Sequence, residues 1–352
     1  MLLAFLLVCL ALVLWNVLAW GAVRPSSADP GVVVSVLIPA RDEAANIRAC
    51  LDSARLQPGV REVIVYDDHS SDSTRTLVEE AAVEDPHIRL ARTEALPPGW
   101  CGKPFACSRL ATAAEGDWLL FLDADARLEG GAVASMLAEA QKRDATMLSC
   151  WPGLEMHSFA ERLLMPLLNF VVFTMYPAPL AARRSDPSLG IAHGACILCE
   201  RRAYEAVGGH ATVASQIFED TRLAQVWRER GERSLCLDGQ HVVRTRMYAG
   251  AREIWNGFRK NFRAGFRTEA AFWLFWVAHA ILFLGVLFID WRAAAIVLLI
   301  RSLLAVRFGH PLWSALLHPV AECYLLALGA SSWWAARSGR GVSWKGRQYR
   351  PV

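Results

Sequence analysis

The sequence predicts an α/β fold built on a mostly parallel sheet and carried between two apolar helical ends. Short β-branched runs alternate with helix-like stretches from Val32 to Leu122, the order expected of strands that pair in parallel with helices on both faces. Three of these runs end in acidic or polar residues, at the edge where such sheets bind ligands. The chain ends are apolar enough that 352 residues reach 54% hydrophobic content, with a mean hydropathy of +0.26, while 20% of residues remain charged.

Residues 1–23 carry no charge, and about 20 apolar residues suffice to cross a bilayer. A cleavable leader is the rival reading, because Ala19 and Gly21 resemble a cleavage site. No basic segment precedes the apolar run, however, and Arg24 is the first charge. A retained anchor followed by Arg24 places the next domain in the cytosol. That domain is predicted over residues 30–250, with strands at Val32–Ile38, Glu62–Tyr66, Ile88–Ala91 and Trp118–Leu122. Helices are predicted to about Leu56, to about Val83 and over Phe105–Ala114.

Asp123-x-Asp125 follows the run WLLFL. In extended chain, residues two apart point to one side, so both carboxylates can face a single cation. Hard oxygen donors suit Mg²⁺ or Mn²⁺. Glu219 and Asp220 precede a helical stretch, where they either cap its start or hold a carboxylate rigidly in a cleft. The nine cysteines have no framework spacing; they read as thiols in a reducing compartment, and Cys196 and Cys199 should face opposite sides of a strand. His193, His210 and His241 lack metal spacing and read as structural, with one left open to complete a metal shell. A net charge of +3, without a basic and aromatic patch in the middle region, excludes a nucleic-acid partner.

Toward the C-terminus, residues 251–267 combine Trp255, Phe258, Phe262 and Phe266 at helical spacing with Arg252, Arg259, Lys260, Arg263 and Arg267. This reads as an amphipathic helix at a membrane interface, or else as a packing helix with a solvated basic face. Residues 271–336 hold one clear span and further apolar stretches, interrupted by Arg301, Arg307, His310 and Pro311. The basic tail, 337–352, should be cytosolic. That requires an even number of crossings after the soluble domain, so a re-entrant or interfacial piece accompanies two spans. Leu163–Met175 is too short to span and reads as core or as a wall dipping into the membrane.

The motifs VSVLIPARDEAANI, VIVYDDHSSDST and LLFLDADA, then GGH and FEDTRLAQVW, occur in this order. They make the chain resemble the family 2 glycosyltransferases of GT-A fold over about residues 33–261. GWCGK, RRAYEAVGGH and the WKGR near the end resemble the membrane-bound bacterial branch associated with hopanoid and carotenoid biosynthesis. The resemblance implies a nucleotide pocket lined by Pro39, Ala40, Arg41 and Glu43, with Asp68 near the base. It implies that Asp123 and Asp125 organise the metal and diphosphate, that Lys103 meets a phosphate, and that Asp220 is the general base. The expected reaction is inverting transfer of one sugar, as a UDP-hexose, to the hydroxyl of a membrane lipid at the inner membrane. Processive relatives carry Q-x-x-R-W after the base; Arg244-Thr245-Arg246-Met247-Tyr248 and then Glu253, Trp255 and Gly257 stand there instead, which argues for single addition.

Two other readings remain at this stage. An acceptor phosphate on a polyprenyl carrier would make Arg244 and Arg246 central. A metal-dependent nucleotidyltransferase would release pyrophosphate, and its usual glycine-rich loop is missing from PARDEAANI.

Overall fold

A computed structural model describes residues 2–25, 31–266, 268–338 and 342–349. Arg267, Arg340 and Arg350, part of the expected basic face and tail, lie outside these residues. The chain forms two compact units: residues 21–155 with 180–247, and residues 1–20 with 156–179 and 248–352.

The first unit is built on strands β1 (Val34–Ala40), β2 (Val60–Asp67), β3 (Ile88–Leu90), β4 (Trp118–Leu122), β5 (Ala126–Leu128), β6 (Met147–Trp151), β7 (Gly153–Leu154), β8 (Cys196–Glu200), β9 (Ser234–Asp238) and β10 (Val243–Thr245). Seven of them form one sheet in the order β3-β2-β1-β4-β8-β6-β9. All neighbours are parallel except β8, which runs against both β4 and β6. A small second sheet has the order β5-β10-β7.

Period-two alternation divides the sheet's side chains between two cores. Val36, Ile38, Val65, Leu120, Leu122 and Leu198 pack with helices Ile47–Arg55, Thr74–Glu84 and Ala132–Lys142 on one face. Leu37, Ile64, Tyr66, Leu119 and Phe121 pack with helices Gly102–Ala113, Arg201–Val207 and Glu219–Glu229 on the other. Cys196 joins the first core and Cys199 the second, as positions three apart in a strand must. All nine cysteines are free thiols, and only Cys323 is exposed. The sheet is therefore α/β and mostly parallel, as the alternation of elements predicted. The N-terminal helix stops at Ala19, and Ala22 instead bridges Asp238 of β9 within the sheet unit.

The second unit is helical. Helices Leu2–Ala19 and Glu269–Phe288 are long and apolar enough to cross a membrane, the latter passing through a π-helical stretch, His279–Leu284, into a 3₁₀ turn. Asn16 is a buried polar residue of the first helix. Its Nδ2 donates to the carbonyls of Phe173 and Tyr176 at 2.9 and 2.8 Å, and its Oδ1 accepts from Ala178 N–H at 3.0 Å. Residues 163–175 break at Met165 into helices Phe159–Leu164 and Pro166–Phe173, because proline is tolerated only in a first turn. Ser158 caps the first of these: its Oγ accepts the Glu161 N–H and donates to the Glu161 carboxylate, which also accepts the His157 N–H. Helix Ala251–Phe262 continues as a 3₁₀ turn to Gly265. Its aromatic rings are half-buried: Trp255 meets Tyr324, and Phe262 meets Phe272 and Phe275, at 5.3–6.1 Å between centroids.

Candidate active site

Because β1, β2 and β4 are parallel, their carboxyl ends share one edge of the sheet. β8 enters beside the end of β4, with Cys196 opposite Leu122. The residues preceding β8 therefore meet those following β4. Every site residue predicted from the sequence belongs to this unit.

At the β1–β2 corner, the Ala40 carbonyl accepts the Asp68 N–H at 2.8 Å, and Arg41 donates to the Asp68 carbonyl at 2.5 Å. Glu43 donates its N–H to Thr74 Oγ1, and its carboxylate accepts from Asn46 Nδ2, both at 2.8 Å. Asp42 takes a left-handed φ of 50°, and its carboxylate accepts the Ser71 N–H at 2.7 Å. Pro39, Arg41 and Glu43 are half-buried, and Ala40 and Asp68 are buried. The result is a stitched double loop whose polar groups gather at the sheet edge.

A second group lies at the end of β4. Asp123 donates its N–H to the Ala195 carbonyl at 3.0 Å. Lys103, in the first turn of helix Gly102–Ala113, puts Nζ 2.7 Å from Asp123 Oδ1 and 3.2 Å from Glu219 Oε1. Burial disfavours the Lys103 charge, but Asp123 and Glu219 outweigh it and hold the ammonium protonated. Asp125 is half-buried two residues further along.

Asp220 completes the arrangement from the first turn of helix Glu219–Glu229. Its Oδ2 accepts the Gly194 N–H at 2.8 Å and its Oδ1 the Thr221 N–H at 2.6 Å. Burial, reinforced by the neighbouring Glu219 charge, pushes its carboxyl up to about 7; Lys103 and the two N–H donors offset this only in part. A carboxylate poised near neutrality can take a proton from an attacking hydroxyl. Of the two readings left open for Glu219 and Asp220, capping fails, because the helix cap is Phe218; one Asp220 oxygen accepts an N–H of its own first turn, while the other is bound 26 residues away in sequence.

The histidines do not join this group as a ligand set. His193 is buried and pushed down to about 4 by burial. His210 bonds Tyr204 Oη at 2.9 Å, and burial pushes it down to about 3. His241 is exposed. Among the described residues, no three or more His, Cys, Asp and Glu side chains are arranged to hold a metal. Arg244, central to the phosphate-acceptor reading, lies in β10 with Nε 2.9 Å from Glu129. Two participants escaped the sequence reading: Gly194, and the ion pairs of Lys103 with Asp123 and Glu219. The only sequence signal for the first was a glycine immediately before an apolar strand.

The Glycosyl transferase family 2 model matches residues 35–208, which run from β1 past β8 and stop short of Asp220. The 4,4'-diaponeurosporenoate glycosyltransferase of Staphylococcus haemolyticus (strain JCSC1435) is 28% identical over 236 residues, 66% of this chain and 61% of that protein; the match thus spans about three-fifths of that relative's length. The enzyme of the same name from Staphylococcus aureus (strain NCTC 8325 / PS 47) is 26% identical over 343 residues, 90% of this chain and 88% of that one. Mannosyltransferase PcManGT from Pyrobaculum calidifontis, solved in complex with GDP-Man and Mn²⁺, is 20% identical, with a TM-score of 0.56 over 95% of this chain and 99% of its own; this likeness concerns the fold. With GT-A architecture, acids gathered at one sheet edge and a family model laid across that edge, residues 35–208 form a glycosyl transferase family 2 domain and the chain is a glycosyltransferase.

Proposed function

We propose that the chain transfers a single sugar, with inversion, from a UDP-hexose to the hydroxyl of a carotenoid or hopanoid-type lipid. The observation that carries this reading is the convergence of Asp123, Glu219 and Asp220 around Lys103 and Gly194 at one sheet edge. The nucleotide lies along Pro39, Ala40, Arg41 and Glu43 with Asp68 near the base, and Lys103 faces the diphosphate. PcManGT, of the same fold, was solved with a nucleotide sugar, and the staphylococcal relatives are named for a carotenoid; both support the assignment.

Asp123 and Asp125 would hold a Mg²⁺ or Mn²⁺ ion from the turn that follows β4, where both are half-buried and not paired along an extended strand. Such ions take one or two protein carboxylates and fill the remaining positions with phosphate and water, so no third protein ligand is required. When bound, the cation supplies Lewis-acid stabilisation of the departing diphosphate. The chain's own work is to orient the donor, balance its charge with Lys103, and accept the acceptor's proton on Asp220. Residues 2–19 anchor the chain in the inner membrane, 251–267 lie at its surface and 271–336 return through it. The catalytic domain, 30–250, and the tail, 337–352, face the cytosol.

A second reading is favoured by the relatives' name, since diaponeurosporenoate is a carboxylate and an ionised acceptor needs no base. Transfer by Asp220→Asn to a carotenoid alcohol and to a carotenoid carboxylate separates the two. With the alcohol, the rate should fall roughly 10²–10⁴-fold. In the native enzyme it should also fall as pH drops through about 7, where a proton fills the accepting oxygen. Full activity of the variant on the alcohol sinks the base assignment; transfer to the carboxylate alone, undiminished in the variant, points to the carboxylate reading. Release of nucleoside diphosphate, not pyrophosphate, is the expected second product.

A further inference from the structure

We propose that Gly194 is a positioning residue for sugar transfer: its N–H sets the orientation of Asp220, and its missing side chain keeps open the space in which Asp220 and Lys103 approach each other. The inference rests on the reading of Asp220 as the base.

The Gly194 N–H lies 2.8 Å from Asp220 Oδ2. A Cβ built on Gly194 would stand 3.1 Å from that same oxygen, 3.6 Å from Asp220 Cβ and 2.9 Å from Lys103 Nζ. Gly194 is not among the residues with positive φ, so alanine fits its backbone. Space, not conformation, is what requires glycine here.

The two neighbouring side chains differ in their freedom to yield. Lys103 meets the added methyl with the end of a long side chain and can withdraw. Asp220 is short, and both of its oxygens are held, by Gly194 and by Thr221. The turn carrying Gly194 is itself fixed. Ser149 Oγ accepts the His193 N–H at 2.8 Å and donates to the His193 carbonyl at 3.1 Å, and Ala195 donates its N–H to His193 Nδ1 at 3.3 Å. The Ala195 carbonyl also holds the Asp123 N–H at 3.0 Å. One buried turn thus ties the β4 acid to the Asp220 carboxylate, and an added methyl 3.1 Å from Oδ2 displaces that carboxylate by a few tenths of an ångström and weakens its bond to the residue-194 N–H.

The test uses the full-length chain in detergent, a carotenoid alcohol as acceptor, and UDP-glucose and GDP-mannose each tried as donor. Gly194→Ala should bind donor within about threefold of the native constant by calorimetry. Its rate at saturating donor should fall roughly 30- to 100-fold, the scale of a misplaced catalytic group. Alanine keeps the residue-194 N–H, but a displaced carboxylate loses its bond to it; that bond favours the charged form, so the acid limb of the rate profile should also move to higher pH. A rate within about threefold of native overturns the proposal. So does loss of donor binding together with rate, because Gly194 would then shape the cleft and not Asp220. Asp220→Asn is measured in parallel: full activity there removes the base reading, whereas an active Gly194→Ala beside an inactive Asp220→Asn removes the positioning role alone.

Discussion

In the sheet unit, large apolar side chains are inside and charges gather at one edge; in the helical unit, the arrangement is closer to the reverse. Among the described residues, Leu56, Val83 and Phe218 are the exposed large hydrophobics of the sheet unit. The helical unit exposes many more, with Leu18 at 82%, Ile289 at 81% and Phe288 at 77%. Its interior holds His279, Arg301, His318 and Glu322, each 3% exposed or less. His279 Nδ1 lies 2.7 Å from Glu322 Oε1, and Arg301 donates to the Pro166 carbonyl at 3.2 Å. A protein surrounded by hydrocarbon turns its ionisable groups toward one another and leaves its apolar ones outside. The contrast supports the proposal that lipid surrounds the helical unit while water surrounds the sheet unit.

The largest effect should come from the polar edge of the sheet unit. Asp125→Ala removes one of two proposed cation ligands, and transfer should fall about 10³-fold or more, since metal stabilisation of the leaving group is worth several kcal/mol. Chelator should silence the native enzyme, and Mn²⁺ or Mg²⁺ should restore it. Undiminished activity in excess chelator would dissolve the link between that edge and a metal.

The polar interior of the helical unit comes next. Glu322→Ala leaves the buried His279 Nδ1 without its hydrogen-bond partner, and an unsatisfied buried polar group costs roughly 1–3 kcal/mol. Thermal unfolding in detergent should show a large drop in midpoint, and an unchanged midpoint would mean that the buried cluster does not hold the helices together. The smallest effect should appear on the apolar exterior. Replacing Leu274 and Leu316, which are 74% and 71% exposed, with Ser should change folding stability in detergent by about 0.5 kcal/mol or less each while lowering the fraction of chain recovered with membranes. Equal recovery would weaken the lipid assignment without touching the fold.

Local pattern made much of the sheet unit readable. β4 appears at Trp118–Leu122, the bounds its apolar run suggested, and β1 lies two residues beyond its predicted span. Alternation also determined which residues face which core, because a strand's side chains can point only two ways. The acids at the ends of β1, β2 and β4 were visible for the same reason: a parallel strand's carboxyl end is a place in the sequence as well as in space. The helical unit was less legible. The bonds of Asn16 to residues 173–178 give no local sign in the sequence.

The sequence by itself determined the alternation of strands and helices, the positions of Asp123, Asp125 and Asp220, and the apolar ends, because each depends on neighbours a few residues away. Only the tertiary structure decided that β8 enters the sheet antiparallel beside β4, that Gly194 thereby reaches Asp220, and that Lys103 pairs with Asp123 and Glu219. Those contacts join segments far apart in the chain. Their geometry follows from which strand pairs with which and in what direction, a choice made by the packing of the whole sheet and not by any single run of residues.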